Sequence, residues 1–418
     1  MGQAGPAGAA LAKANNGMRT DKLAILFLFV LAIAGTIAFR LLRKIDGSVG
    51  AGNRPIKPSA ASEFRGICLQ LHNSDPDHPH EQFIDEIART GANTVALVVN
   101  AYQENGESTS IFIEARKTPP NARMKKLVRH ARNRGLRVVL MPILLLENPR
   151  EGDWRGTIRP TSWDDWWEDY TNYIMHYARL AQAAEADLFM VGSELVSTET
   201  QTRRWRTLIR RVRGAYKGRL CYSANWDHYD VIKWWDDLDV IGMTTYYDLT
   251  GGKKPTLENI LAAWKPIKKR ILEWQATINR PIIFTEVGWP NQVTAAQFPW
   301  DYTRSPEPEN ADPAQQAACF EAFFRTWFLE NQVTGYLIWE WRNSPSEKGG
   351  LKDTSYFPGG KPAMAIIRRY YALPGPGLST LPATQPAPPT RPVQPSSAAA
   401  KDEPAREPPG KPIFDPGL

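Results

Sequence analysis

The chain has 418 residues, of which 42% are hydrophobic and 23% charged, with a formal net charge of +7. This length allows two or three domains of ordinary size, or one large barrel with tails. The basic excess lies outside the body of the chain: residues 1–62 carry +6, residues 374–418 carry 0 and residues 63–373 carry only +1. Nucleic-acid-binding proteins concentrate Lys and Arg on their folded domain, so this distribution excludes nucleic acid as an expected partner.

An apolar segment near the N-terminus predicts where the protein resides. Leu23–Phe39 contains no charged residue and has basic residues on both sides. We predict a transmembrane signal anchor over residues 23–42, after a cytoplasmic or leader segment over residues 1–22. A cleaved signal peptide is the alternative, but the basic residues that follow the segment favour an uncleaved anchor. The expected location is therefore extracytoplasmic and membrane-anchored, in the periplasm or at the cell surface, or secreted if the signal is cleaved.

Two further segments have the composition of linkers. Residues 43–62 are rich in Gly, Ser and Pro, and residues 374–418 hold 13 of the 34 prolines. Such sequences cannot bury a hydrophobic core, so we predict a short linker and a disordered Pro-rich tail. The tail is interpreted as a spacer, with a ligand for an aromatic groove as the alternative, and the sequence names no partner for it. Residues 63–373 then form the folded domain.

Strand and helix signals alternate through this domain. Short apolar or β-branched runs predict eight strands, at Gly66–Leu71, Thr94–Val99, Arg137–Ile143, Leu188–Val191, Leu220–Ser223, Leu238–Met243, Pro281–Thr285 and Gly335–Trp339. Helical periodicity predicts eight helices, at Glu81–Thr90, Ala122–Arg134, Trp163–Glu185, Thr202–Ala215, Val231–Asp236, Leu257–Ile278, Pro313–Glu330 and Ala363–Tyr371. Ser162 and Asp312 stand before two of these helices as N-caps. The count and size predict a (β/α)8 TIM barrel. A doubly wound sheet is the alternative, but no Gly-rich phosphate loop follows the first strand.

Two glutamates lie at the carboxyl ends of predicted strands, where the active sites of TIM barrels are found. Glu194 follows the fourth strand and Glu286 follows the seventh. A carboxylate there is costly to desolvate unless it is paired, acts as a ligand or reacts. Two such residues three strands apart can face each other across the barrel mouth, and retaining glycosidases need two carboxyl groups about 5–5.5 Å apart. The alternative is that each Glu forms an ion pair with a Lys or Arg of a neighbouring strand.

The tryptophans support a sugar-binding cleft. All 15 lie between Trp154 and Trp341. Flat rings after strands, beside carboxylates, suit stacking on sugar faces; the candidates are Trp154, Trp226, Trp289, Trp300, Trp339 and Trp341. Others have helical spacing and are predicted to pack between barrel and helices; they are Trp166, Trp205, Trp264, Trp274 and Trp327. Glu340 alternates with its two tryptophan neighbours, so we predict that it is an outward-pointing or structural carboxylate.

Six motifs occur in order between about Arg65 and Tyr371: GANTVALVV, WRG, ADLFMVGSEL, DVIGMTTYYDLT, FTEVGWP and GGKPA. With these motifs the domain resembles glycoside hydrolase family 113, (β/α)8 enzymes of clan A that include endo-β-1,4-mannanases. The resemblance implies a retaining glycoside hydrolase that cleaves a β-linked polysaccharide or oligosaccharide, with β-1,4-mannan as the expected type. We expect no cofactor and no metal. The loop after the first strand, with His72, His78 and His80, is interpreted as a polar cleft loop in which His72 contacts substrate, and a metal site is the alternative. A carbohydrate-binding or envelope-scaffold domain without catalytic activity is the alternative.

The resemblance also implies roles for particular residues. Glu194 would be the general acid/base and Glu286 the nucleophile, with Tyr246 or Tyr247 as a hydrogen-bond donor to the nucleophile. Trp339 would form the floor beneath the sugar at the cleavage point. The other residues expected to bind substrate are Ser193, Trp154, Arg155, Asn225, Trp226 and Trp289.

Two positions depart from the pattern of clan A. Ser193 stands where an Asn usually precedes the acid/base, so a shorter hydroxyl replaces the amide that binds the sugar 2-hydroxyl. The third strand ends in Leu144–Leu146 where polar or basic residues are usual. This apolar end is the feature that favours the inactive alternative.

Overall fold

The computed structural model describes residues 63–373. Eight parallel strands close into a barrel in the order of the chain, β1 to β8. They are β1 Phe64–Gln70, β2 Thr94–Gln103, β3 Arg137–Leu146, β4 Leu188–Ser193, β5 Arg219–Ala224, β6 Val240–Thr244, β7 Ile282–Val287 and β8 Val333–Ile338. The predicted (β/α)8 barrel is confirmed. The predicted anchor, the linker and the Pro-rich tail lie outside the described residues, and none of the helices within 63–373 has the length and apolar character to cross a membrane.

The described part of the chain has seven α-helices. They are α1 His80–Ala88, α2 Asn121–Asn133, α3 Trp163–Ala184, α4 Thr202–Ala215, α5 Leu257–Ile278, α6 Pro313–Trp327 and α7 Pro362–Ala372. Two begin at the predicted caps: the Ser162 side chain accepts the Asp165 N–H at 3.4 Å, and the Asp312 side chain accepts the Gln315 N–H at 2.8 Å. Satisfying these amide groups fixes where each helix begins.

The predicted helix at Val231–Asp236 is wrong, because the structure has only a 3-10 turn there, Trp235–Asp237. Its tryptophans are buried and their indoles bind loop carbonyls. The Trp235 Nε1–H donates to the Tyr229 oxygen at 2.8 Å, and the Trp234 Nε1–H donates to the Glu199 oxygen at 3.1 Å. A six-residue segment gains too little from helical hydrogen bonds to compete with these contacts.

The interior of the barrel is apolar until its carboxyl end. Because side chains alternate along a strand, every second residue enters the barrel while its neighbours face the helices. The inward set packs as one cluster, which includes Cys68, Val98, Met141, Met190, Cys221, Ile283 and Leu337. All three cysteines of the domain are buried and unoxidised. The polar residues of the strands therefore collect at the two ends of the barrel.

At the amino-terminal end of the barrel, Glu63 binds the start of two strands. Its carboxylate oxygens accept hydrogen bonds from Arg219 at 2.7 and 2.9 Å, and one of them also accepts the Thr334 hydroxyl at 3.1 Å. Burial would raise the pKa of Glu63, but the hydrogen bonds and charge of Arg219 outweigh it and hold the pKa below its ordinary value. The carboxylate form is therefore stabilised in the folded protein.

The substitution Glu63→Gln should lower the free energy of unfolding by about 1–3 kcal/mol at neutral pH, since it removes a charged hydrogen-bond acceptor from Arg219. A pKa that is lowered on folding contributes stability above the unfolded-state value and loses it as the pH falls through the folded-state value. The difference between wild type and variant should therefore shrink below about pH 4. Urea unfolding of the full chain at a series of pH values measures it, and a difference independent of pH would contradict the assignment.

Candidate active site

Glu194 and Glu286 come together at the carboxyl end of the barrel, and each side chain is 2% exposed. Glu194 directly follows β4, and Glu286 lies in β7. Between them on β6, Thr244 is the register partner of Glu286, and its hydroxyl donates to the Glu194 Oε1 at 3.1 Å. One threonine thus links the two glutamates, which share one buried site.

Glu194 is compensated by a cation from the preceding loop. Arg155 begins the 3-10 turn Arg155–Thr157 after β3, and its Nη2 donates to the Glu194 Oε2 at 2.9 Å. Both side chains of this ion pair are largely buried. Arg155 was expected to bind substrate; in the structure its guanidinium binds Glu194. Glu194 therefore forms an ion pair, as the alternative interpretation predicted, and it still lies at the carboxyl end of the barrel.

Glu286 receives a hydrogen bond from a tyrosine. The Tyr246 hydroxyl donates to the Glu286 Oε2 at 2.8 Å. Burial first, and then the charge of Glu286 together with that of Glu194, raises the pKa of Tyr246 well above its usual value. The phenol stays protonated and remains a donor. Its neighbour Tyr247 has another partner, because its hydroxyl donates to the Trp226 carbonyl at 2.8 Å.

Aromatic rings border these glutamates. Trp226 is partly exposed, lies edge-on to Tyr247 and stacks on Trp300 with a centroid distance of 6.0 Å. Trp339, which follows β8, is also partly exposed and packs on the inward cluster of the barrel. Trp154 is buried over Gly156, where an added Cβ would lie 2.2 Å from the ring.

Trp289 does not line the cleft. Its side chain is 0% exposed and packs edge-on against Phe320 and Phe323, at centroid distances of 5.1 and 6.2 Å. Both phenylalanines belong to α6, on the outside of the barrel. The expectation that Trp289 contacts substrate therefore fails, because two residues beyond β7 the chain has turned its side chain toward the helix layer.

The two remaining polar candidates are buried beside the glutamates. Ser193 is the last residue of β4, and its hydroxyl has no hydrogen-bond partner among residues 63–373. The Asn225 side-chain amide, just after β5, donates to the Asp227 carboxylate. The Ser193 hydroxyl is thus buried without a hydrogen-bond partner in the described part of the chain, whereas the Asn225 amide has a protein acceptor.

The comparisons with known proteins agree with this geometry. The model of Glycoside Hydrolase Family 113 matches residues 76–361. The chain belongs to glycoside hydrolase family 113. It is therefore a glycoside hydrolase, and nothing in the comparisons supports the inactive alternative. No curated protein matches it.

Solved structures of family 113 are similar to this chain over nearly their whole length. A family-113 β-1,4-mannanase is 26% identical with a TM-score of 0.66, over 74% of this chain and 99% of its own. The family-113 β-mannanase AaManA of Alicyclobacillus acidocaldarius, in complex with ManMIm, is 26% identical with a TM-score of 0.66, over 74% and 97%. Thermotoga maritima Cel5A with mannotriose, 13% identical with a TM-score of 0.50 over 75% and 99%, shares the fold alone.

Glu340 and Trp341 both follow β8. Burial raises the pKa of the Cys68 thiol well above its usual value, and the charges of Glu286 and Glu340 raise it further. Burial also raises the pKa of the Tyr356 phenol, with contributions in the same direction from the same two carboxylates. Trp341 packs in the layer between strands and helices, and its Nε1–H donates to Glu86 of α1 at 3.1 Å. The outward or structural role of Glu340 stays a prediction.

Sequence reasoning missed two contributions to the site. Thr244 was not singled out, although it ends β6 just as Glu194 follows β4, and the strand-end position was the available signal. The second is Asn100 of β2, whose amide lies 2.8 Å from the Nε2 of His72, in the loop after β1; the same imidazole also contacts Gln70. Burial, and then the charge of Lys117, lowers the pKa of His72 to about 4.

The burial of Trp289 makes a prediction about stability. Trp289→Ala should lower the free energy of unfolding by about 3–5 kcal/mol, because it leaves a cavity between β7 and α6. Trp226→Ala removes the same atoms from a partly exposed position and is the matched comparison. Urea denaturation of both variants should show the larger loss for Trp289, and equal losses would contradict its placement in the core.

Proposed function

We propose that this chain is a membrane-anchored, extracytoplasmic hydrolase that cleaves β-1,4-mannan with retention of configuration, with Glu286 as nucleophile and Glu194 as general acid/base. The observation that carries the proposal is the pair of buried carboxylates with different partners. Glu286 is held by a neutral phenol, that of Tyr246, and Glu194 by the Arg155 guanidinium and the Thr244 hydroxyl. Two carboxyl groups in different environments suit two different roles.

In the first step, a Glu286 oxygen attacks the anomeric carbon of the bound sugar. The glycosidic C–O bond breaks, and Glu194 gives its proton to the departing oxygen, so that a glycosyl ester remains on Glu286. The ionised Glu194 that results is compensated by Arg155, which lies 2.9 Å away. The ion pair thus offsets the charge of Glu194 at the stage when it has lost its proton.

In the second step, the Glu194 carboxylate takes a proton from a water molecule, and the water oxygen attacks the anomeric carbon. The ester bond breaks and its electron pair returns to Glu286. Tyr246 stabilises that returning charge, because its hydroxyl is 2.8 Å from the carboxylate and its raised pKa keeps the proton on the phenol. The products are a new reducing end and the enzyme in its starting state.

The β-1,4-mannan assignment is supported by the relatives and by the cleft. The similar family-113 structures are described as β-1,4-mannanases. Partly exposed faces of Trp226, Trp300 and Trp339 suit stacking on pyranose rings. The Ser193 hydroxyl, next to Glu194 in the chain, has no partner among residues 63–373, which supports a role in binding a sugar hydroxyl. None of these groups calls for a metal or cofactor.

The proposed location rests on the amino-acid sequence of residues 1–62. The apolar segment from 23 to 42 would anchor the chain in a membrane, and residues 43–62 would separate the anchor from the barrel. A mannan polymer is an external substrate, so an extracytoplasmic domain agrees with the proposed reaction. Fractionation of cells that express the full chain tests whether it is anchored in the membrane. Protease added to intact spheroplasts tests whether the barrel lies outside the cytoplasm.

The catalytic roles predict a loss of activity for two amide substitutions in the site and none for a matched substitution on the surface. The full chain, purified in detergent, should release reducing ends from β-1,4-mannan in preference to β-glucan and xylan. Glu286→Gln should reduce this to background, since an amide cannot form the ester. Glu194→Gln should lower kcat by about 10²–10⁴-fold, the usual contribution of general acid–base catalysis. Glu258→Gln, on the outer surface of α5, is the control and should retain full activity.

Two results would count against this mechanism. One is turnover by Glu286→Gln close to that of the wild type while the Glu258→Gln control behaves normally. The other is inversion at the anomeric carbon, which proton NMR of the first product detects, because inverting enzymes use a directly attacking water and form no ester. Wild-type protein without activity on β-1,4-mannan would contradict the substrate assignment.

The hydrogen bond from Tyr246 predicts a smaller, separate effect. Tyr246→Phe removes one donor to a charged carboxylate, which is worth about 1.5–3 kcal/mol, or roughly 10- to 150-fold in kcat/KM. Tyr247→Phe is the matched control, because the Tyr247 hydroxyl binds a backbone carbonyl and not a glutamate. Steady-state kinetics on mannan oligosaccharides compare the two, and equal losses would show that Tyr246 acts only through packing.

A further inference from the structure

The backbone at Glu194 has an unusual conformation that must be held in place. Its φ is 50°, in the left-handed region, which a residue with a Cβ adopts only at a cost in free energy. Hydrogen bonds from two consecutive amides secure it. The Glu194 N–H donates to the Ser223 carbonyl at 2.8 Å, and the Leu195 N–H donates to the Tyr222 hydroxyl at 2.9 Å. The second of these bonds depends on a side chain.

The hydroxyl of Tyr222 is oriented by a buried acid. It donates to the Glu199 Oε1 at 2.7 Å, and both residues are fully buried. The ring of Tyr222 is fixed between Trp205 and Trp234, each at a centroid distance of 5.0 Å. The Trp234 indole also donates to the Glu199 carbonyl at 3.1 Å. The position of the hydroxyl is therefore set by packing as well as by the acid.

Glu199 is suited to this role as a neutral acid. Burial raises its pKa to about 8, with opposition from the Tyr222 hydrogen bond and from His228, and with smaller contributions in the same direction as burial from Glu194 and Asp227. Its Oε2 has no hydrogen-bond partner among residues 63–373, which disfavours a carboxylate. At neutral pH Glu199 thus accepts a hydrogen bond without adding negative charge behind Glu194.

We propose that Glu199 and Tyr222 are positioning residues for the general acid/base, and that they hold the left-handed turn at Glu194 through the amide of Leu195. The inference rests on the proposed catalytic role of Glu194. With the turn in place, the Glu194 carboxylate is directed at Arg155 and Thr244. Tyr222 packs in the layer between strands and helices, outside the cleft, so neither positioning residue touches the sugar.

Tyr222→Phe tests the proposal, with Tyr216→Phe as its matched control. The Tyr216 side chain is equally buried, and its hydroxyl donates to the Ala186 carbonyl at 2.7 Å, before the start of β4 and far from Glu194. Both variants of the full chain lose one phenol hydroxyl. Tyr222→Phe should lower kcat on mannan oligosaccharides by about tenfold or more, as misplacement of an acid/base does, with KM nearly unchanged. Tyr216→Phe should keep the wild-type kcat.

The leaving group distinguishes a displaced acid from general damage. With a 2,4-dinitrophenyl β-mannobioside as substrate, the dinitrophenolate departs without taking a proton. The first step of its hydrolysis therefore needs the nucleophile and not the acid. The burst of dinitrophenol from Tyr222→Phe should therefore keep the wild-type rate constant, while hydrolysis of the unactivated oligosaccharide falls. A burst slowed in the same proportion as oligosaccharide hydrolysis would overturn the positioning role.

Substitutions of Glu199 provide a second route if Tyr222→Phe does not fold. Glu199→Gln keeps an oxygen that accepts the Tyr222 hydroxyl and carries no charge, whereas Glu199→Ala removes the acceptor. The amide variant should recover most of the kcat that the alanine variant loses. Equal kcat values for the two variants would overturn the proposal, because the acceptor would then have no effect on catalysis.

A crystal structure of Tyr222→Phe tests, without any substrate, whether Tyr222 holds the left-handed turn at Glu194. The expected result is a change of the Glu194 φ out of the left-handed region, with loss of the contact to Arg155. An unchanged turn would overturn the inference. Wild-type protein that hydrolyses neither substrate contradicts the proposed function, and the crystal structure still decides the structural claim.

Discussion

Two carboxyl groups are buried within a single barrel mouth, and the cost of removing them from water governs the arrangement around them. Glu194 and Glu286 are each 2% exposed. The groups that compensate them come from separate parts of the chain: Arg155 from the loop after β3, and Thr244 and Tyr246 from the end of β6. Only closure of the barrel brings these segments together, so the fold is a condition for the arrangement that the proposed mechanism needs.

The tryptophans serve this arrangement in two ways. Those at helical spacing pack between strands and helices, as predicted, and Trp166, Trp205, Trp264 and Trp327 are fully buried. Trp205 stacks on Trp234 at 4.6 Å, and this pair fixes the ring of Tyr222 behind Glu194. The layer of aromatic side chains on the outside of the barrel thus extends to the left-handed turn at Glu194. Trp226 packs against this outer layer and Trp339 against the inward cluster of the barrel, and both remain partly exposed.

The strand pattern was sufficient to predict the barrel and the position of both glutamates, because period-2 alternation and burial determine where a strand ends. It was insufficient beyond the strand ends. Trp289 is two residues past β7, where the alternation stops, and its side chain packs on α6. Arg155 lies in an irregular loop, so its contact with Glu194 depends on tertiary structure.

The 3-10 turn that replaces a predicted helix shows another limit of periodicity. Apolar residues at Val231–Asp236 have helical spacing, yet two adjacent tryptophans there bind carbonyls on different segments. One of those carbonyls belongs to Glu199, the residue that orients Tyr222. A regular helix at this position would turn the Trp234 indole elsewhere. The irregular backbone at this position is therefore part of the structure that supports Glu194.

The apolar end of β3 restricts where sugar hydroxyls find partners, but it does not remove the groups to which the proposed mechanism assigns catalysis. Ile143 and Leu145 lie in the inward cluster beside Tyr102 of β2, and together they form an apolar arc of the barrel. The low pKa of His72 keeps its imidazole neutral at physiological pH, which suits an uncharged sugar better than a cation does. Every group in the proposed mechanism comes from β6, β7, the end of β4 or the loop after β3. Because β3 itself supplies none of them, its departure from the clan pattern changes the wall of the cleft and leaves the reacting centre complete.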